Sequence, residues 1–316
     1  MATSTTVPSD RITPVKATGT FKPALWNDRA YVAEEKLDGV RAVVYATAAG
    51  ARVMVGERDI TAQVPHLGVL HVPGLVLDGE LVQNALRSPE TDHVPGIGSA
   101  SVTGIVNSSP GRAIETQKRD GFLKFYAFDC LHVGRVGRLN MRTQSWERRR
   151  AALVDVLAGL PRPIGDNYIA VPVAVPPLTR EFYQRVVLLG GEGVVLKHRE
   201  QSYTGVGWVK VKFRTTLSVV IAGINRDRES VAIAVYEDGK LSSVGDCGIK
   251  NTQLRAQAQL KPHTLVGRVL DVQAYAVSTR GKLRNPIWDR LRPDLFPKAI
   301  TRDKLIADFE QAVEHA

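Results

Sequence analysis

A chain of 316 residues is too long for one comfortable hydrophobic core, so two domains are the default expectation. Apolar residues make up 44% and charged residues 23%, which excludes a disordered chain, and 42 Lys+Arg against 32 Asp+Glu leave a charge of +10 that favours polyanionic partners. Neither Cys130 nor Cys247 sits in a zinc-binding spacing, the N-terminus has no apolar signal core, and no run approaches the roughly 20 apolar residues of a membrane helix; a soluble cytoplasmic protein without a disulfide scaffold is expected.

In chain order, residues 1–20 are rich in Thr, Ser and Pro and read as a flexible leader that docks near FKPALW. From Tyr31, short β-branched segments (YVAEEKL, RAVVYA, ARVMVG, GLVLDGELV) alternate with Gly, Asp and Pro punctuation and predict an antiparallel sheet. Residues 87–112 predict a mobile loop with a short helix around SASVTGIVN, followed by a strand FLKFYAFDCLHV. TQSWERRRAALVDVLAGL predicts a helix capped by Thr143, with Trp146, Leu153, Val156 and Leu157 on one face, and TREFYQRVVLLGG predicts another that ends in two glycines. After Lys212 the pattern turns to short strands with an Asp-Gly hairpin signal and no long helix before the chain end. A five-stranded barrel of the OB type is the economical reading, with the boundary between residues 213 and 217.

Four charged segments stand out. EEKLDGVR (34–41) ends a strand in an Asp-Gly turn, and Glu34, Lys36 and Asp38 share a face if it is extended; it reads either as a solvated strand end or as a catalytic site. VLDGELV places Asp78 and Glu80 on one face of a Val/Leu strand, as an exposed hairpin edge or as a pair able to hold a divalent metal or ribose hydroxyls. GGEGVVLKH sets Glu192 and Lys197 at opposite ends of an apolar run. WVKVK puts Lys210 and Lys212 on one strand face, where like charges repel unless an anion such as phosphate bridges them; the alternative is a solvated basic edge.

Together these segments resemble the nucleotidyltransferase superfamily of ATP-dependent DNA ligases, RNA ligases and mRNA capping enzymes, and most closely the DNA ligases. The KxDGxR signature stands as KLDGVR, followed in the family's order by GERD, LDGE, FYAFD, EGVVLK and WVKVK, over residues 21–300. The resemblance implies an α+β nucleotidyltransferase core, with ATP-grasp-like antiparallel sheets and flanking helices over residues 21–214, and an OB-fold barrel with a C-terminal helix over 215–316. It implies that Lys36 takes AMP from ATP, that Glu34 lies beside the adenine, and that Phe128 stacks on it. It further assigns Arg41 and Arg58 to ribose and phosphate, Glu80 to ribose or metal, and Glu192 to a second metal-site carboxylate. Lys197, Lys210 and Lys212 are assigned to the triphosphate, with Mg2+ as the metal and Mn2+ as a substitute.

Residue chemistry agrees with those types. A protonated lysine cannot attack phosphorus, and cationic neighbours with a bound metal favour the neutral amine. The same positive field would stabilise the in-line transition state and departing pyrophosphate. In the last domain, TRGKLRNPIWDRLRPDLFPK carries Arg280, Lys282, Arg284, Arg290, Arg292 and Lys298 against two aspartates. It resembles the ligase signature that orients pyrophosphate, except that Leu295 follows Asp294 where the family has lysine; contact with the DNA backbone is the simpler alternative.

The expected activity is nick sealing in duplex DNA by a monomer, compact because about 20 upstream residues leave no room for a DNA-encircling domain. An RNA ligase or a capping guanylyltransferase shares the lysine chemistry. A non-catalytic basic protein that binds DNA ends through an OB-type barrel is the rival from another class.

Overall fold

The structure, a computed structural model, describes residues 12–83, 99–134, 139–160, 169–189, 191–249, 251–277 and 281–316. Contacts divide the chain into two compact units, Met1–Thr179 with Val194–Val211, and Arg180–Gly193 with Lys212–Ala316.

The first unit contains Tyr31–Glu35 (β1), Val40–Thr47 (β2), Gly50–Val55 (β3), Arg58–Asp59 (β4), Leu75–Gln83 (β5), Leu123–Val133 (β6), Leu139–Asn140 (β7), Ile169–Ala170 (β8) and Ala174–Val175 (β9), and then all but the first residue of Gly193–His198 (β10) and all but the last of Trp208–Lys212 (β11). Seven of these form a sheet in the order β4-β3-β2-β5-β6-β7, with β8 beside β6; a second sheet runs β11-β10-β1-β9. Pairing from β3 through β2 and β5 to β6 is antiparallel throughout.

Strand alternation explains why the larger sheet is covered on both faces. Val44, Leu77, Leu81 and Phe125 point into one core with Val102, Ile105 and Leu153 of the helices Ser99–Asn107 (α1) and Trp146–Ala158 (α3). Val43, Tyr45 and Val76 point to the opposite face, where they pack with Leu131, Tyr203 and Trp208. That second face carries the candidate site.

Several expectations are corrected. Residues 12–20, expected within a flexible leader, are docked: Ile12 is buried, its N–H donates to the Tyr45 hydroxyl, and Gly19 bridges Val209. Apolar Ile12, Val15 and Ala17 fill the second face and so hold the segment there. Within the expected loop 87–112, helix α1 falls where SASVTGIVN predicts it, but Pro110–Asp120 forms a further helix (α2), started by Pro110 at its first turn; residues 87–98 lie outside the described residues. The cap of α3 is Ser145 rather than Thr143, since the Ser145 hydroxyl accepts from the Arg148 N–H.

In the second unit, Arg180–Leu188 (α4) stops before the glycines. Thr215–Asn225 (β12), Ser230–Glu237 (β13), Lys240–Gly248 (β14), Val269–Ala274 (β15) and Ile287–Leu291 (β18) close into a barrel in the order β12-β13-β14-β18-β15. Ala276–Val277 (β16) and Leu283–Arg284 (β17) form a separate ribbon. The Asp-Gly signal is the β13–β14 turn, where Asp238 and Gly239 both take positive φ, as a two-residue hairpin of this twist requires. Thr252–Leu260 (α5) interrupts the strands, and Arg302–Glu314 (α6) ends the chain with Leu305, Phe309 and Val313 buried. Among the described residues, no helix is long and apolar enough to cross a membrane.

Candidate active site

A cavity of about 250 Å³ opens in the first unit, lined among others by Ala17, Glu34, Lys36, Arg41, Glu80, Phe128, Pro172, Lys197, Trp208 and Lys210. A larger, shallower cleft of about 870 Å³ lies along β3 and β4; its charged pair, Arg52 and Asp59, is self-neutralised, so the smaller cavity is the candidate site.

Lys36 follows directly on β1, in the turn to β2. Gly39 makes that turn possible, because a Cβ there would stand 2.0 Å from the Leu81 carbonyl oxygen. Glu34 faces Val195 across the β1–β10 ladder, which sets its carboxylate diagonal to Lys197. Lys197 Nζ lies 2.7 Å from Glu34 Oε2 and donates to the Phe128 carbonyl at 3.1 Å. The ammonium also stands 4.5 Å from the ring centroids of both Phe128 and Trp208. Burial pushes the Glu34 carboxyl above the usual range, against the opposing pull of Lys197 and Arg150.

On β5, alternation puts Val76, Asp78 and Glu80 on the cavity side, but the two carboxylates part company. Asp78 is sealed from solvent and holds Arg41 through two bonds, from Nε at 3.0 Å and from a terminal nitrogen at 2.5 Å, while the Tyr203 hydroxyl donates to it at 2.5 Å. Three of its roughly four lone-pair sites are taken within the protein, so of the two carboxylates expected as a metal or ribose pair Asp78 is the less available. Glu80 lines the cavity; burial pushes its carboxyl up to about 7, opposed first by Lys36 and then by Arg41, and the Gly39 N–H donates to it.

Phe128 reaches the cavity because β6 is irregular. Asp78 faces Asp129 and Gly79 faces Ala127, leaving Phe128 as the extra residue of a bulge that turns its ring toward the second face. Beneath it, Asp129 is held by a fully buried Arg149, at 2.6 and 3.0 Å. On β11, Trp208 and Lys210 line the cavity from one strand face, and Lys212 continues that face. The anion beside Lys212 is a carboxylate of the protein, Glu192 Oε1 at 2.5 Å; both belong to the second unit.

The other expected residues are not gathered at the cavity. Arg58 is exposed on β4 and donates to Asn107 at 2.6 Å. In the second unit, Arg290 and Arg292 pair with buried Asp271 at 3.2 and 3.0 Å, and Arg292 also binds Asp294 through two bonds. Lys282 donates to Ser243, and Arg284 lies over the Tyr275 ring. Arg280 lies outside the described residues.

Sequence reasoning missed Tyr203, Trp208, Arg150 and the Asp129–Arg149 pair. Trp208 carried a usable signal, since alternation places residues 208, 210 and 212 on one face; the others are partners brought in from distant segments and carried none.

Comparison with known proteins follows the same lines. The family described as "ATP dependent DNA ligase domain" matches residues 16–212. A probable DNA ligase of Beutenbergia cavernae is 32% identical over 213 residues, covering 62% of this chain and 36% of that protein. The multifunctional non-homologous end joining DNA repair protein LigD of Mycobacterium tuberculosis is 27% identical over 339 residues, covering 93% of this chain and 40% of that protein. The chain thus spans well under half the length of these relatives. Among solved structures, one from a study of Lig E DNA ligases titled as DNA binding with a minimal scaffold aligns with a TM-score of 0.55 at 21% identity, over 89% of this chain and all of that one, a likeness of fold.

Proposed function

The chain belongs to the family of ATP-dependent DNA ligase domains, and from that premise we propose that it seals nicks in duplex DNA through an adenylate carried on Lys36. In the first step the Lys36 amine forms a bond to the α-phosphorus of ATP as the bond to pyrophosphate breaks. AMP then passes to the 5′ phosphate of the nick, and the 3′ hydroxyl displaces it to close the phosphodiester. Positioning and electrostatics do most of this catalysis.

The observation that carries the reading is the convergence of Glu34, Lys36, Glu80, Phe128, Lys197 and Lys210 on one cavity. Phe128 offers a face for the adenine, and Glu34 Oε1, a buried acceptor without a hydrogen bond, suits its exocyclic amine. Lys197 and Lys210 suit the phosphates, joined by Lys212 in our assignment; Arg41 and Arg58 are assigned to ribose and phosphate.

Magnesium, with manganese as a substitute, fits the donor chemistry: it needs only one or two carboxylates beside phosphate oxygens, and the Glu80 carboxylate lines the cavity. Glu80, on the cavity, would hold it; Glu192, in the second unit, keeps its assignment as a metal-site carboxylate from the family resemblance alone. Bound there, it would neutralise charge on the phosphates.

We assign residues 21–214 to the adenylation domain and 215–316 to a barrel of the OB type, whose Lys282, Arg284, Arg290 and Arg292 would meet the DNA backbone or pyrophosphate, together with Arg280. The acting form is taken as an intracellular monomer. Incubation with labelled ATP or GTP and magnesium, with the modified residue identified by mass, tests the reading. AMP on Lys36 and closure of a nicked duplex are expected. Labelling by GTP alone would transfer the chain to the capping enzymes, and nick binding with no labelling would leave a non-catalytic DNA-end binder.

A further inference from the structure

Glu34 is held between two cations on opposite oxygens. Lys197 Nζ is at 2.7 Å from Oε2, whereas a terminal nitrogen of Arg150 is 3.6 Å from Oε1, outside hydrogen-bond distance. Glu34 Oε1 and that Arg150 nitrogen are both buried and both without a hydrogen bond. Unmade bonds on buried charged groups are costly, and here the two lie face to face with one short movement between them. Arg150 is anchored for such a movement: its other terminal nitrogen donates to the carbonyl of Pro172, a cavity residue, and its guanidinium lies over the Trp146 ring. Lys197, by contrast, has two claims on it. It lines the cavity where phosphate is expected, yet its ammonium is engaged by a carboxylate.

We propose that Arg150 is a positioning residue that takes over the Glu34 carboxylate when nucleotide draws Lys197 to its phosphate, and so keeps Glu34 aimed at the amine edge of the base. The inference rests on the adenylation reading above. One cation bonds the carboxylate in the empty site and another in the loaded site, so the cavity never holds an uncompensated buried anion. The charged groups facing Glu34 are Lys197 from β10, Arg150 from α3 and Asp129 from β6, the last already neutralised by Arg149. Without Arg150, departure of Lys197 would leave a desolvated carboxylate that takes up a proton, and a carboxylic acid is a weaker acceptor for the exocyclic amine than the anion and can turn an O–H donor toward it.

The test measures AMP transfer to Lys36 against pH in the full chain, with ATP and with purine riboside triphosphate, which lacks the exocyclic amine. In Arg150→Met the acidic limb should move to higher pH, KM for ATP should rise about tenfold, and the preference for ATP over purine riboside triphosphate should shrink. Arg150→Lys should restore the limb. In a Glu34→Gln background, which has no charge to hand over, Arg150→Met should change nothing further. A superimposable pH profile with unchanged preference in Arg150→Met, or a full additional loss in the Glu34→Gln background, would overturn the handover while leaving adenylation intact. Absence of labelling in the unaltered chain would remove the adenylation reading and the handover with it.

Discussion

Lys197 Nζ stands 2.7 Å from Oε2 of Glu34, and both side chains are all but closed off from water. Removing one member of a buried pair leaves an unpaired charge and costs about 3 kcal/mol or more. Lys197→Met should therefore unfold at markedly lower denaturant than the unaltered chain at pH 8 and should fail to take AMP. Because burial raises the Glu34 carboxyl, the folded state accepts a proton more readily than the unfolded one, so the deficit should narrow as pH falls. A deficit that stays constant from pH 8 to pH 5 would show that Glu34 is not the source.

Glu80 yields a separate pH test. Its carboxyl, pushed by burial up to about 7, is easier to protonate folded than unfolded, so ionisation destabilises the fold above that pH and the penalty vanishes below the ordinary carboxylate range. Glu80→Gln, which mimics the protonated form, should be more stable than the unaltered chain at pH 9 by about 3 kcal/mol and nearly equal to it near pH 4, in urea unfolding at each pH. AMP transfer should be lost in the same variant. Equal stability at both pH values would mean that Glu80 is better solvated than the cavity indicates.

At Gly39 the constraint is steric. A methyl group 2.0 Å from the Leu81 oxygen forces β5 and the Lys36 turn apart, so Gly39→Ala should lose about 1–3 kcal/mol. The Gly39 N–H bond to Glu80 is disturbed by the same shift. AMP transfer should fall at least a hundredfold in labelling assays, well beyond the loss of folded protein. A variant that labels at the normal rate would place Lys36 elsewhere.

The arginines of the second unit should separate by role. Burial raises the Asp271 carboxyl, but hydrogen bonds from Ser218, Arg292 and Arg290 outweigh it and hold the group below the usual range. Such a carboxylate stabilises the fold at neutral pH and stops doing so as pH falls through its folded value. Arg292→Ala should therefore lower thermal stability at pH 7, with the difference closing in acid. Arg284→Ala, whose guanidinium lies over the Tyr275 ring, should reduce the salt dependence of nick binding by about one ion, read by fluorescence anisotropy. Identical salt slopes for Arg284→Ala and the unaltered chain would remove it from the DNA surface.

The two-residue repeat of a strand was legible from residues alone: it put Asp78 and Glu80 on one face, Lys210 and Lys212 on another, and Lys36 at a strand end, and the order of the charged segments announced the family. The Asp-Gly hairpin and four of the five closing strands of the second unit were legible for the same reason, since turn chemistry and alternation act over a few neighbouring residues; the fifth, Ile287–Leu291, lies inside the basic cluster and was not read as a strand. Tertiary structure decided which of those charges remain available. Asp78 is claimed by Arg41, 37 residues away, and by Tyr203, 125 residues away, while Glu80 two positions on is left in the cavity. Phe128 owes its place to a bulge, and Lys197 owes its partner to the β1–β10 register. Desolvation and pairing depend on what long-range packing brings within about 3 Å, and no local period encodes that distance.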